Sequence, residues 1–247
     1  MLDIDTLDRL GFFRHVPFEE LPRVRAALAE PGLVGLQMDD GSAITTCVDD
    51  LTRRFYFVDG ENLAEGTVLA VLGWLAPFLR HEGVPIETTF AKVRFPAIRQ
   101  GPWGPARPKQ VGSIGLDADG WLAITGTTVS ETFTPVESLR LATRPGGELE
   151  DVTEERRDIG AVYVLRVGTR VLHLIDPESA DHPWDQCARS TLAFINELLT
   201  AHGSPERAYG YDEGNNLAFV LVTPAMAAVL DAAAPSEKLH DGRPQGP

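Results

Sequence analysis

The run Asp181-His182-Pro183-Trp184-Asp185 sets one imidazole between two carboxylates. Histidine titrates near neutral pH, and an adjacent carboxylate can orient it or share a cation with it, so these are ingredients of acid–base catalysis. Asp176 lies just upstream and adds a third acid. The same residues also compose a helix start. Asp181 can cap it, Pro183 suits its first turn, and Asp185 suits the positive end of the helix dipole. The helix start is the favoured reading, with His182, Asp181 and Asp185 kept as candidate catalytic residues.

Two acidic runs raise a second possibility: "VDGEN" at Val58–Asn62 and "YDEGNN" at Tyr211–Asn216. A calcium loop needs oxygen ligands at alternate positions and a distal glutamate, and neither run has that spacing. As turns both are well made, because Gly60 and Gly214 accept a positive φ and Asp and Asn bond the local backbone. Asp59, Glu61, Asp212 and Glu213 are therefore candidate partner-binding residues on an acidic docking surface, not metal ligands.

Motifs that would name a cofactor do not occur. There is no glycine-rich phosphate loop, no G-x-S-x-G elbow and no H-E-x-x-H, so no cofactor is expected. Cys47 and Cys187 stand 140 residues apart, which makes neither a zinc pattern nor a redox pair, and both read as small buried hydrophobes. His81 and His202 follow helical patterns at their C-terminal ends, where imidazole meets the carbonyl dipole. His173, inside "VLHLID", is expected to face away from Leu172 and Leu174.

Net charge bounds the partners. The chain carries 36 acids and 22 bases over 247 residues, for a net −14. A field of that sign repels phosphate backbones, so nucleic acid is not an expected partner and a basic protein is. The exception is the stretch 92–109, with Lys92, Arg94, Arg99, Arg107 and Lys109 around Trp103 and no acid; the favoured reading is an intramolecular dock, the other a ligand site. The densest apolar run, "TVLAVLGWLAPFL", is too short to cross a bilayer, and "MLDIDTLDRL" lacks the pattern of a signal peptide. A cytoplasmic protein is expected.

These residues must be placed by a scaffold that the periodicity outlines. Helices are expected over "LDIDTLDRLGFFRHV" ending near Gly11, over "PFEELPRVRAALAEPG", and over "NLAEGTVLAVLGWLAPFLRHEG", where Pro77 predicts a kink or a break. "HPWDQCARSTLAFINELLTAHG" is the clearest helix, and "PAMAAVLDAAA" is a last one opened by Pro224. "TPVESLRLATRPGGELEDV" reads as a short helix followed by a loop. Strands are expected in "GLVGLQMD", "SAITTCVDD", "RRFYFVDG", "VPIETTFAKVRF", "RAYGYD" and "LAFVLV", with hairpins in "VGSIGLDADGWLAITG" and "AVYVLRVGTRVLHLID". The expected fold is α+β with mainly antiparallel sheets, in two hairpin-plus-helix (ββαβ-like) subdomains. Residues 1–95 form the first, 96–160 a linker and hairpin region, 161–234 the second, and 235–247 a disordered tail. An internal echo links the halves: strand, acidic loop, long helix, then "RHEGVP" in one and "AHGSPE" in the other. An old duplication or two independent uses of a common unit both give that pattern.

The segment "HPWDQCARSTLAFINELLTAHGSPERAYGYDEGNNLAFVLVTP" resembles the C-terminal segment of uncharacterised bacterial α/β proteins of the immunity or accessory type. The matching features are Trp184, Ile195-Asn196, Gly203-Ser204, Tyr209, Gly214-Asn215 and Val222-Thr223-Pro224, across the last third of the chain. The resemblance implies a small protein found beside bacterial toxins and implies no catalytic residue. Charge and motif content lead to a non-enzymatic, acidic protein-binding protein, immunity-like in the narrower form. The alternatives are a hydrolase-type enzyme with a site assembled from Asp176, Asp181, His182 and Asp185 or from Asp212 and Glu213, and a self-associating scaffold module.

Overall fold

The structure is a computed structural model, and the residues described are 3–29, 52–59, 68–90, 113–116, 122–125, 136–157, 162–175, 183–210, 216–233 and 239–240. Five helices lie in them: α1 (Ile4–Arg9), α2 (Leu21–Ala29), α3 (Val68–His81), α4 (Pro183–Ala201) and α5 (Pro224–Ala233). Ten strands accompany them: β1 (Phe55–Asp59), β2 (Ile86–Phe90), β3 (Ser113–Leu116), β4 (Leu122–Thr125), β5 (Val136–Leu141), β6 (Glu150–Arg157), β7 (Val162–Val167), β8 (Arg170–Ile175), β9 (Arg207–Gly210) and β10 (Asn216–Val222). The fold is α+β. A three-stranded sheet has the order β1-β10-β9, a five-stranded sheet the order β2-β5-β6-β7-β8, and β3-β4 form a separate hairpin. Among the described residues every strand pairing is antiparallel.

The central strand β10 explains why "LAFVLV" is apolar without alternation. Phe219 and Leu221 enter the larger core with α3, α4 and the five-stranded sheet. Val220 and Val222 enter a second core with Leu7, Phe12, Val24, Met226 and Leu230. A strand covered on both faces has no solvent side to be polar. Its partner β1 comes from the other end of the chain, in the register Phe55↔Val220 to Asp59↔Asn216. Tyr56 and Phe219 stack with centroids 5.2 Å apart.

Helix α3 is buried nearly all round, and Pro77 does not end it. Proline removes one N–H and crowds the carbonyl four residues earlier, which here belongs to Gly73. Gly73 lies so close to β5 that a Cβ would sit 2.6 Å from Val136 Cγ2. Close packing on the sheet holds the helix through the proline. Helix α4 bridges the two sheets, packing on β8 and on β9.

Two expectations fail here. Residues 136–141 form strand β5 and not a helix, with Leu139 and Leu141 buried at a period of two. Pairing to β2 (Ile86↔Leu141 to Phe90↔Val136) overrides the helical look of the run. In the expected tail, Leu239 packs on the second core and His240 bridges Gly210. The hairpins β3-β4 and β7-β8 form as expected, the latter turning at Gly168 with φ +56°. The strands expected within 32–50, and the basic stretch 92–109, lie outside the described residues. Among the described residues no helix is long and apolar enough to cross a membrane.

Candidate functional site

Three helix ends meet at one buried cluster of charge. Helices α1, α3 and α4 each stop at a glycine of positive φ: Gly11 (+84°), Gly83 (+82°) and Gly203 (+76°). At each stop the next residue reaches back to the last turn, Phe12 N to Leu7 O at 3.0 Å, Val84 N to Leu79 O at 2.9 Å and Ser204 N to Leu199 O at 2.9 Å. This six-to-one closure turns the chain sharply out of the helix. The exits carry Arg14 and His15, then Glu82, then Ser204 and Glu206 into one cluster around Arg54, the residue before β1.

Arg54 is wholly buried. Its guanidinium donates to Phe12 O at 2.5 Å, Gly11 O at 3.1 Å, Leu221 O at 2.6 Å and Glu206 Oε2 at 3.1 Å. Burial pushes its pKa down, with Glu206 opposing that shift. Burial pushes the Glu206 carboxyl up, opposed by Arg54 and Arg14. Arg14 donates to Glu82 Oε1 and lies 2.8 Å from Glu206 Oε1, off the line of a hydrogen bond. Ser204 Oγ donates to Glu82 Oε2 at 2.6 Å and accepts from Glu206 N at 3.0 Å. Two guanidinium groups thus face two carboxylates. Removing one member of such a set strands an uncompensated buried charge.

His15 closes the cluster on the α3 side. Its ring lies 4.9 Å from that of Phe78 and 5.4 Å from that of His81, centroid to centroid. Nε2 accepts from Arg14 Nε at 3.1 Å and sits 3.7 Å from Glu82 Oε1. Burial, then the charges of Arg54 and Arg14, push its pKa down to about 3. The cluster holds a serine, a histidine and carboxylates, yet Ser204 gives its proton to Glu82 and not to His15. A nucleophile needs its hydroxyl directed at a base that can take the proton away. The chemistry built here is the joining of four chain segments.

A second polar group caps α3. Glu154 Oε2 accepts from Leu69 N at 3.2 Å and from Tyr163 Oη at 2.6 Å, and Tyr163 Oη accepts from Val68 N at 3.2 Å. The carboxylate stands at the positive end of a buried helix. Burial raises the Glu154 and Tyr163 pKa values. Cys187, also buried, is pushed up to about 12, so its thiol stays protonated and inert at neutral pH.

Asp185 pairs with Arg189 one turn along α4, and Pro183 opens that helix. Asp181, His182 and Asp176 lie outside the described residues, as do Glu61, Asp212, Glu213 and Cys47. Asp59 is the last residue of β1 and the register partner of Asn216. Each acidic run thus contributes one described residue to this pair, Asp59 from the first and Asn216 from the second. His173 is exposed on β8 while Leu174 is buried. His81 and His202 stand at helix C-termini, and His202 Nε2 lies 2.9 Å from Ala142 O. The sequence reading missed Arg14, Arg54, Glu82, Ser204 and Glu206 as a group. Their one sequence signal is the echo of "RHEGVP" and "AHGSPE", whose acids converge here. Among the described residues no three His, Cys, Asp or Glu side chains gather as a metal site. Compared with protein-family models, curated protein sequences and solved structures, the chain gives no match.

Proposed function

We propose that this is a non-enzymatic, cytoplasmic protein-binding protein that docks a basic partner on an acidic corner of its three-stranded sheet. The observation that carries the reading is the register pair Asp59↔Asn216. It joins two strand ends from opposite parts of the chain, each continuous with an acidic run. The net charge of −14 supplies a long-range field that would steer a basic partner toward the molecule. The narrower, immunity-like form, in which that partner is a toxin, rests on the resemblance of the C-terminal third. The Ser204, His15 and Cys187 groups support a non-enzymatic reading, because Ser204 and His15 are engaged in hydrogen bonds within the cluster and Cys187 is buried in the core.

The test compares the full chain with a variant bearing Asp59→Asn, Glu61→Gln, Asp212→Asn and Glu213→Gln. Both are used to capture proteins from the host extract at low ionic strength. A basic protein that elutes as salt rises, and that the variant fails to hold, is the expected result. Capture of no protein, or equal capture by both, overturns the reading.

A further inference from the structure

The outer edge of β9 is closed by two different devices. On its inner side β9 pairs with β10 from Gly210↔Phe219 to Arg207↔Val222. On its outer side the Asn196 amide of α4 takes both backbone groups of Ala208. Asn196 Nδ2 donates to Ala208 O at 2.9 Å, and Asn196 Oδ1 accepts from Ala208 N at 2.7 Å. A side-chain amide here stands where the peptide of a next strand would be. Two residues along the same edge, a backbone takes over. Gly210 N donates to His240 O at 2.7 Å, and His240 N donates to Gly210 O at 2.9 Å.

Leu239 is anchored beside this pair. Its N–H donates to Asp231 Oδ1 at 3.0 Å, and its side chain packs on the core of α1, α2 and α5. Gly210 has no side chain to obstruct the His240 ring; a Cβ there would lie 2.5 Å from His240 Cε1 and 3.1 Å from Leu192 Cδ1. A strand edge, an apolar socket, a carboxylate that takes an N–H and a glycine shelf for a ring are the parts of a strand-addition peptide site.

We propose that this groove is a peptide-binding site for an extended segment with an apolar residue followed by histidine. Leu239-His240 fills it in cis, and the same segment of a second copy of the chain fills it in trans. A second copy of the chain carries the identical Leu239-His240 segment, so it brings every contact that the cis segment makes. The cis occupant is half-buried and is joined to α5 through residues 234–238. A tethered occupant works at millimolar effective concentration, so a segment in trans enters when the cis segment is impaired or opens often. The inference rests on none of Asp59, Glu61, Asp212 or Glu213, so it stands apart from the acidic docking reading.

Two measurements test it. In the full-length chain, Leu239→Asp with His240→Pro removes the apolar anchor and the N–H that Gly210 O accepts. The probe is the synthetic peptide PSEKLHDGRPQGP with a fluorescent label. Its anisotropy should saturate with this variant at least about tenfold tighter than with the unaltered chain. A peptide carrying the same two changes should not saturate. In the unaltered chain, native-state hydrogen exchange should release the Gly210 amide at least about 100-fold faster than that of Leu221, marking local opening with the sheet intact. Equal exchange at Gly210 and Leu221 overturns the proposal. So does a folded variant that ignores the peptide, or a variant that loses cooperative unfolding.

Discussion

Replacing His15 by glutamine should remove a built-in acid sensitivity. The His15 side chain is only 4% exposed and its pKa is held at about 3, against about 6.5 in an unfolded chain. The fold therefore accepts the neutral ring and rejects the proton. Stability from this group is complete above pH 6.5 and is lost as pH falls from 6.5 towards 3. The slope in that window is about 1.4 kcal/mol per pH unit, or about 2 kcal/mol between pH 7 and pH 5. Glu206 acts in the opposite sense: its raised pKa makes protonation stabilising as pH falls through the folded value. A comparison of two proteins that share Glu206 isolates the histidine. The assay is urea unfolding at pH 7, 6 and 5, followed by tryptophan fluorescence and extrapolated to zero denaturant. The variant should be weaker at pH 7, having lost the ring packing on Phe78. Its deficit should then shrink by about 2 kcal/mol at pH 5. A deficit that stays constant with pH refutes the reasoning, because it means His15 is protonated equally in both states.

Two further substitutions probe the same architecture. Arg54→Met should cost about 3–5 kcal/mol in urea unfolding by stranding Glu206, and adding Glu206→Leu should restore most of it. Gly73→Ala should destabilise by about 1–3 kcal/mol despite the better helix propensity of alanine, because the new Cβ meets Val136, and Val136→Ala should relieve the loss.

Local patterns were legible where one face of an element decides its period. Helix α4 spans Pro183–Ala201 as its apolar spacing and its Gly203 stop require. The β7-β8 hairpin turns where Gly168 predicts. Strand β5 misled because Val136 and Leu139 stand three apart, as on a helix, while Leu139 and Leu141 carry the strand period. Strand β6, with Glu154, Glu155, Arg156 and Arg157 in a row, shows no apolar alternation at all; its pairing with β7 places it. The charge cluster was illegible for another reason. Arg14, Arg54, Glu82 and Glu206 are spread over most of the chain, and only three helix exits bring them within reach. Ionisable residues read as surface by default, since burial of a charge depends on a partner that local sequence does not reveal.

The pairing of β1 with β10 also fixes an order of events during synthesis. Asp59 waits for Asn216, its register partner. At ~5–20 residues per second a ribosome needs roughly 8–30 s to supply that stretch. The strand that separates the two cores is among the last elements to emerge. Until then Phe12, Phe13 and Val24 lack Val220 and Val222 to pack on. A nascent chain in that interval presents the apolar surface that holdase chaperones recognise, so the yield of folded protein depends on what shields its N-terminal helices while the ribosome finishes.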